Sequence, residues 1–172
     1  MGSRDQGVDK VRWAVIPRTL CFVTNGDDIL LLKHAVHKKV FPGRYNGVGG
    51  HLERGEDPHA GALREVREET GLSVNRMRLR GITHIDPGQA VGILLFVFTA
   101  TSDSRLLGSS DEGTLEWVPL ARVDELPLVE DLPLLFPRLF GVCKIDLPFF
   151  AHVRYNDADE MIMTFAENDG TF

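Results

Sequence analysis

The residues most able to do chemistry lie between Gly50 and Leu72, in the stretch GHLERGEDPHAGALREVREETGL. A helix over residues 58–70 is predicted there, because Leu63, Val66 and Thr70 recur at helical intervals, Asp57 can cap the start, Pro58 fits the first turn and Gly71 follows the end. A helix C-terminus carries partial negative charge and favours basic side chains. Here Glu68 and Glu69 occupy the last turn and Glu65 lies one turn earlier. At 3.6 residues per turn, the three side chains fall within an arc of about 100° on one face. Converging carboxylates repel and raise one another's pKa unless a cation is held among them. Oxygen donors without thiolate or clustered imidazole select hard ions, so Mg²⁺ is expected, with Mn²⁺ as a substitute. The competing reading of REVREE is a solvated face on which Arg64 and Arg67 soften the repulsion through helical pairs. Gly50, Glu56 and Gly71-Leu72, at fixed distances around the run, favour a site.

The elements that position this helix follow from hydrophobic pattern. Residues 19–24 and 29–33 are β-type runs joined through Asn25-Gly26, a hairpin signal. Residues 40–55 hold five glycines, suited to sharp turns or close backbone approach to a ligand. Residues 77–85 and 90–101 read as strands, the second nearly continuous in apolar residues and therefore central. Residues 115–118 form a further short strand. Leu128, Leu132, Leu135 and Leu139 are spaced as on a helix that Pro137 should break or kink. Residues 149–155 and 160–165 form a closing hairpin around Asn156-Asp157.

With 172 residues, 43% hydrophobic and 26% charged, the chain fits one globular domain and excludes a disordered or low-complexity protein. The expected division is an N-terminal arm over 1–17, a core domain over 18–168 and a tail over 169–172. The longest apolar run, residues 90–100, is about half of the ~20 residues that cross a bilayer, so no membrane partner is expected. The first ten residues carry both signs of charge, unlike a secretory signal. Cys21 and Cys143, far apart in apolar surroundings, read as buried thiols, which points to a reducing, cytoplasmic setting. A net charge of −6 predicts no stable nucleic-acid partner, and any polyanionic ligand must be met through cations.

Gly50–Leu72 fits the Nudix box, G-x5-E-x7-R-E-U-x-E-E-x-G-U with U apolar, at every constrained position. The chain thus resembles a Nudix hydrolase, and the wider pattern resembles the MutT-like members. The resemblance implies an α/β fold, an α/β/α sandwich with a central mixed β-sheet. It implies that Glu65, Glu68 and Glu69 hold divalent metal together with the backbone carbonyl of Gly49, and that Arg64 and Glu56 orient the carboxylates, as supporting residues do at metal sites. A further carboxylate from a distant loop matches Glu112, with Asp111 and Glu116 as substitutes. The implied reaction is hydrolysis of a phosphoanhydride by an activated water, with Glu65 or Glu112 as general base.

The stretch YNGVGGH, Tyr45 to His51, resembles the loop of Nudix enzymes that hydrolyse oxidised purine nucleoside triphosphates such as 8-oxo-dGTP to the monophosphate and pyrophosphate. The similarity implies that Asn46 contacts the base, since an amide donates and accepts side by side as a purine edge demands. Asn46 reads equally as a turn residue before Gly47. Glu130 and Asp131 match an acidic pair that contacts the base in the same subgroup, with N-capping by Asp131 as the alternative. Tyr45, Phe41 and Trp117 are stacking candidates or core residues. His51 stands where many such enzymes have a lysine, which would make a phosphate contact pH-dependent. Pro87, fifteen residues after Leu72, has a spacing that resembles ADP-ribose pyrophosphatases, while Asp86-Pro87-Gly88 also reads as a turn. Lys33, His34, His37, Lys38 and Lys39 form a basic cluster that guides phosphates or is a solvated hairpin end. The alternatives are an ADP-ribose or NDP-sugar pyrophosphatase and a non-catalytic nucleotide-sensing domain; an intact Glu65, Glu68 and Glu69 disfavours the latter. A homodimer is compatible with the family.

Overall fold

A computed structural model describes residues 7, 12–141 and 147–166. The elements run β1 (Ala14–Asn25), β2 (Asp28–His34), β3 (Tyr45–Asn46), α1 (Pro58–Thr70), β4 (Asn75–Ile85), β5 (Val91–Thr101), β6 (Gly113–Pro119), a 3₁₀ turn (Leu120–Glu125), α2 (Leu132–Phe140), β7 (Phe149–Tyr155) and β8 (Met161–Phe165). The strands form a mixed sheet in the order β3-β2-β1-β5-β4-β7-β8, with β6 also paired to β2. Pairs β1/β5 and β4/β7 are parallel, and β1/β2, β4/β5 and β7/β8 are antiparallel.

The middle of β1 is buried on both faces and is accordingly a continuous apolar run. Leu20 and Phe22 point into a core shared with Leu132, Leu135, Phe136 and Leu139 of α2. Cys21 and Val23 point the other way, with Ala62 and Val66 of α1. One helix therefore covers each face, which gives the expected α/β/α layering.

The tight turn at Asn25-Gly26 joins β1 to β2, with Gly26 at φ 60°. α1 has the predicted bounds: Asp57 Oδ1 accepts from the His59 and Ala60 amides, and Gly71 ends the helix at φ 74°. Three expectations are corrected. β1 begins at Ala14, because residues 14–18 already pair with β5. α2 excludes Leu128, which is buried but bridges Tyr45. Pro137 lies inside α2 without ending it; the residue one turn earlier, Pro133, is in the first turn, so the missing N–H leaves only one carbonyl without its helical partner. β3 was not foreseen, being two residues in a glycine-rich stretch. Cys143 lies outside the described residues, while Cys21 is fully buried and its thiol is pushed up by that burial, with Glu69 and Glu65 adding to the shift.

Candidate active site

The loop after β3 takes the place of a strand against the first half of β1. Thr19 N–H donates to the Gly50 carbonyl at 2.8 Å, Cys21 N–H to that of Val48 at 2.7 Å, and Leu52 N–H to that of Pro17 at 3.1 Å. Approach is so close that a β-carbon at Gly49, whose φ is 150°, would sit 2.2 Å from the Thr19 carbonyl oxygen. One at Gly50 would sit 2.6 Å from a Glu65 carboxylate oxygen. The glycines of this loop thus bring its backbone against both β1 and the acidic face of α1.

Arg64 organises that face. Its Nη2 donates to Glu56 at 2.7 Å and to the His51 carbonyl at 3.0 Å, its Nε to Glu56 at 3.1 Å, and its Nη1 to Glu65 at 2.9 Å and Glu68 at 3.0 Å. The Arg64 hydrogen bonds, joined by the Glu53 amide, hold the Glu56 carboxyl down at about 2. Glu69 lacks that neighbour. Its burial pushes the carboxyl up to about 7, the Gly49 amide at 3.1 Å opposes this, and the charges of Glu65, Glu112 and Glu68 add to it. Among the described residues no three His, Cys, Asp or Glu side chains converge closely enough to enclose a metal ion. Glu65 and Glu68 are turned to Arg64 and Glu69 to the Gly49 amide, so the three share a face without meeting at a point. Their donor chemistry still fits a hard divalent cation: all ligating atoms are oxygen, and a buried carboxyl lifted by like charges lacks positive charge.

A cavity of about 690 Å³ opens beside this face. Gly49, Gly50, His51, Glu65, Glu69 and Glu112 line it toward α1. Asn46, Glu130 and Asp131 line it elsewhere, with Ile85, Ile93, Leu95, Val129 and Val153 as an apolar bed. Asn46 Oδ1 accepts from the Gly47 amide at 2.8 Å, so it does hold a turn, while the residue lines the cavity and its amide nitrogen has no hydrogen-bond partner among the described residues. Glu130 accepts from the Tyr155 hydroxyl at 3.2 Å. Asp131 stands at the N-cap of α2 but makes no capping hydrogen bond, and its Oδ1 is buried without a partner. Burial pushes Asp131 up to about 6, the amides of Asp131 itself and Leu132 oppose this, and the Glu130 charge adds to it. A carboxyl oxygen left without a partner beside a cavity favours ligand contact over capping.

Other expected residues fall elsewhere. Tyr45 is buried beneath the site, its hydroxyl donating to Glu116 at 3.0 Å, and does not line the cavity. Trp117 packs in the α1-side core, with its indole N–H on the Arg105 carbonyl. Phe41 does line the cavity, at φ 51° and tilted against His34. Glu112 is at 2.8 Å from Lys38, and Lys33 lies over the Tyr45 ring. Pro87 belongs to a turn in which the Gly88 amide donates to Asp86 at 2.9 Å. Sequence reasoning missed Arg18 and Tyr155 and read His34 only within a basic cluster; all three come from strands distant from the motif. Only the alternation of β1, β2 and β7 signals them, and it does not say which face meets a ligand.

Residues 15–139 match the profile of the NUDIX domain. The chain is 30% identical over 146 residues to the oxidized purine nucleoside triphosphate hydrolase of Mus musculus, covering 84% of this chain and 89% of that protein. It is 30% identical over 115 residues to the uncharacterized Nudix hydrolase YvcI of Bacillus subtilis (strain 168), covering 64% and 70%. The crystal structure of the mutator MutT protein from Bacillus halodurans superposes with a TM-score of 0.73 at 28% identity, over 87% of this chain and 97% of that one. With its complete sequence motif, its acidic helix packed on a glycine loop and these likenesses, the chain belongs to the Nudix hydrolase family and is a MutT-like member of it.

Proposed function

We propose that the protein hydrolyses a purine nucleoside triphosphate, oxidised purines such as 8-oxo-dGTP foremost, to the monophosphate and pyrophosphate in the presence of Mg²⁺ or Mn²⁺. One observation carries this reading: a single cavity joins the acidic face of α1 to a set of polar groups suited to a base edge, with an apolar bed between them. The mouse relative's name supports the same substrate class.

Glu65, Glu68, Glu69 and the Gly49 carbonyl would hold the cation, which when bound neutralises phosphate oxygens and acidifies water. Arg64 orients Glu65 and Glu68 through its hydrogen bonds and fixes α1 to the loop through the His51 carbonyl. Glu65 or Glu112 takes the proton from the attacking water, and Glu112 is positioned by its ion pair with Lys38 at 2.8 Å. At the base end, Asn46 presents N–H donors because its oxygen is engaged by Gly47. Asp131, lifted to about 6, accepts when ionised and donates when protonated. Together they match the alternating donors and acceptors of a purine edge.

The test is a turnover panel with Mg²⁺ and 8-oxo-dGTP, unmodified triphosphates, ADP-ribose and dinucleoside polyphosphates. Highest kcat/KM on the oxidised purine triphosphate is expected. Cleavage of ADP-ribose at an equal or greater rate overturns the assignment.

A further inference from the structure

Arg18 is a cation of a different kind from the others around the cavity. The lining carries Glu53, Glu65, Glu69, Glu112, Glu130 and Asp131. Arg64 and Lys38 are each held by carboxylates, whereas Arg18 has no carboxylate partner among the described residues. Its partner is His51, whose Nε2 accepts from Arg18 Nε at 3.1 Å and from Nη2 at 2.8 Å. A guanidinium has five N–H donors and no acceptor, so in this contact His51 Nε2 is the acceptor. Two donors are thereby used and three stay free, in the rigid planar geometry that matches phosphate oxygens.

The position is fixed on both sides. Arg18 lies in β1 directly opposite His51, between the hydrogen bonds that tie Thr19 to Gly50 and Pro17 to Leu52. The same Gly50 backbone presses against Glu65. Arg18 therefore belongs to the part of the cavity wall where the glycine loop meets the acidic helix. A permanent charge among acidic lining residues, with no carboxylate partner among the described residues, is complementary to an anion.

We propose that Arg18, oriented by His51, binds the phosphates that leave as pyrophosphate. This rests on the phosphoanhydride reading above and adds to it a specific substrate-binding residue on β1. A nucleotide with its base against Asn46 and Asp131 brings its distal phosphates toward the glycine loop, within the domain of the guanidinium.

The experiment compares wild type, Arg18→Met and Arg18→Lys in saturating Mg²⁺, reading KM and kcat for the triphosphate turned over and, by calorimetry without nucleotide, the binding of inorganic pyrophosphate. Arg18→Met is expected to raise KM and to weaken pyrophosphate binding by about 10- to 100-fold, the range for a charged hydrogen bond, with a smaller change in kcat. Arg18→Lys, which keeps the charge, is expected to recover part of both. Unchanged pyrophosphate binding in Arg18→Met overturns the proposal, as does a KM effect that Lys fails to relieve, since Arg18 would then act only by holding His51. Pyrophosphate binding is read without turnover. A wild type that binds pyrophosphate through Arg18 but cleaves no nucleotide therefore sinks the functional reading and leaves Arg18 as a phosphate-binding residue.

Discussion

At the scale of single residues, the decisive feature is how unequally the acidic groups are neutralised. Arg64 serves Glu56, Glu65 and Glu68, while Glu69 and Asp131 are half-buried without such a neighbour among the described residues. Arg64→Lys loses the fork that reaches Glu56, Glu65, Glu68 and the His51 carbonyl together. It is expected to lower kcat by about 10- to 100-fold, the range for residues that orient metal ligands. Asp131 gives a pH signature. Its carboxyl rises from 3.8 in the unfolded chain to about 6 in the fold, so between those values the native state binds the extra proton. Its contribution therefore makes stability fall as pH rises from about 4 to 6, by on the order of 1–3 kcal/mol. Subtracting the melting curves of Asp131→Asn from those of wild type across pH 3.5–7 should isolate this slope. A difference independent of pH would show that Asp131 is not buried as described.

At the scale of elements, α1 and the glycine loop work as a pair. Asp57→Ala removes the cap that holds two amides and is expected to destabilise by about 1 kcal/mol, measured by denaturant unfolding, with little change in KM. Gly50→Ala acts on the other partner. Its β-carbon would overlap the Glu65 carboxylate, so kcat should drop at least tenfold while melting temperature moves much less; unchanged turnover would mean that Glu65 can shift without consequence. α1 was legible to the residue because capping, proline, periodicity and terminal glycine all agree over a short span. The resemblance pointed to the motif acids and Asp131, and of these Glu65, Glu69 and Asp131 line the cavity. Arg18, β3 and the fate of Tyr45 were not, because each depends on a contact between segments far apart in the chain. Pro137 does not break α2, whose nine residues run through it.

At the scale of the whole molecule, the mixed sheet with a helix on each face puts α1, the loop and the β4, β5 and β7 strands around one cavity. A cation bound only by the native state should stabilise all of it together. Mg²⁺ at about 100 times its dissociation constant is worth roughly 2.7 kcal/mol, so the melting temperature of wild type should rise with Mg²⁺ and that of Glu65→Gln/Glu68→Gln should rise much less. The measurement that bears most directly on the central claim is phosphorus NMR of 8-oxo-dGTP incubated with wild type or Glu68→Gln, each with Mg²⁺ and with chelator. Conversion to monophosphate and pyrophosphate by wild type with Mg²⁺ alone is predicted, with loss of most of that activity in Glu68→Gln. Equal conversion by the variant, or conversion that persists in chelator, would contradict the account.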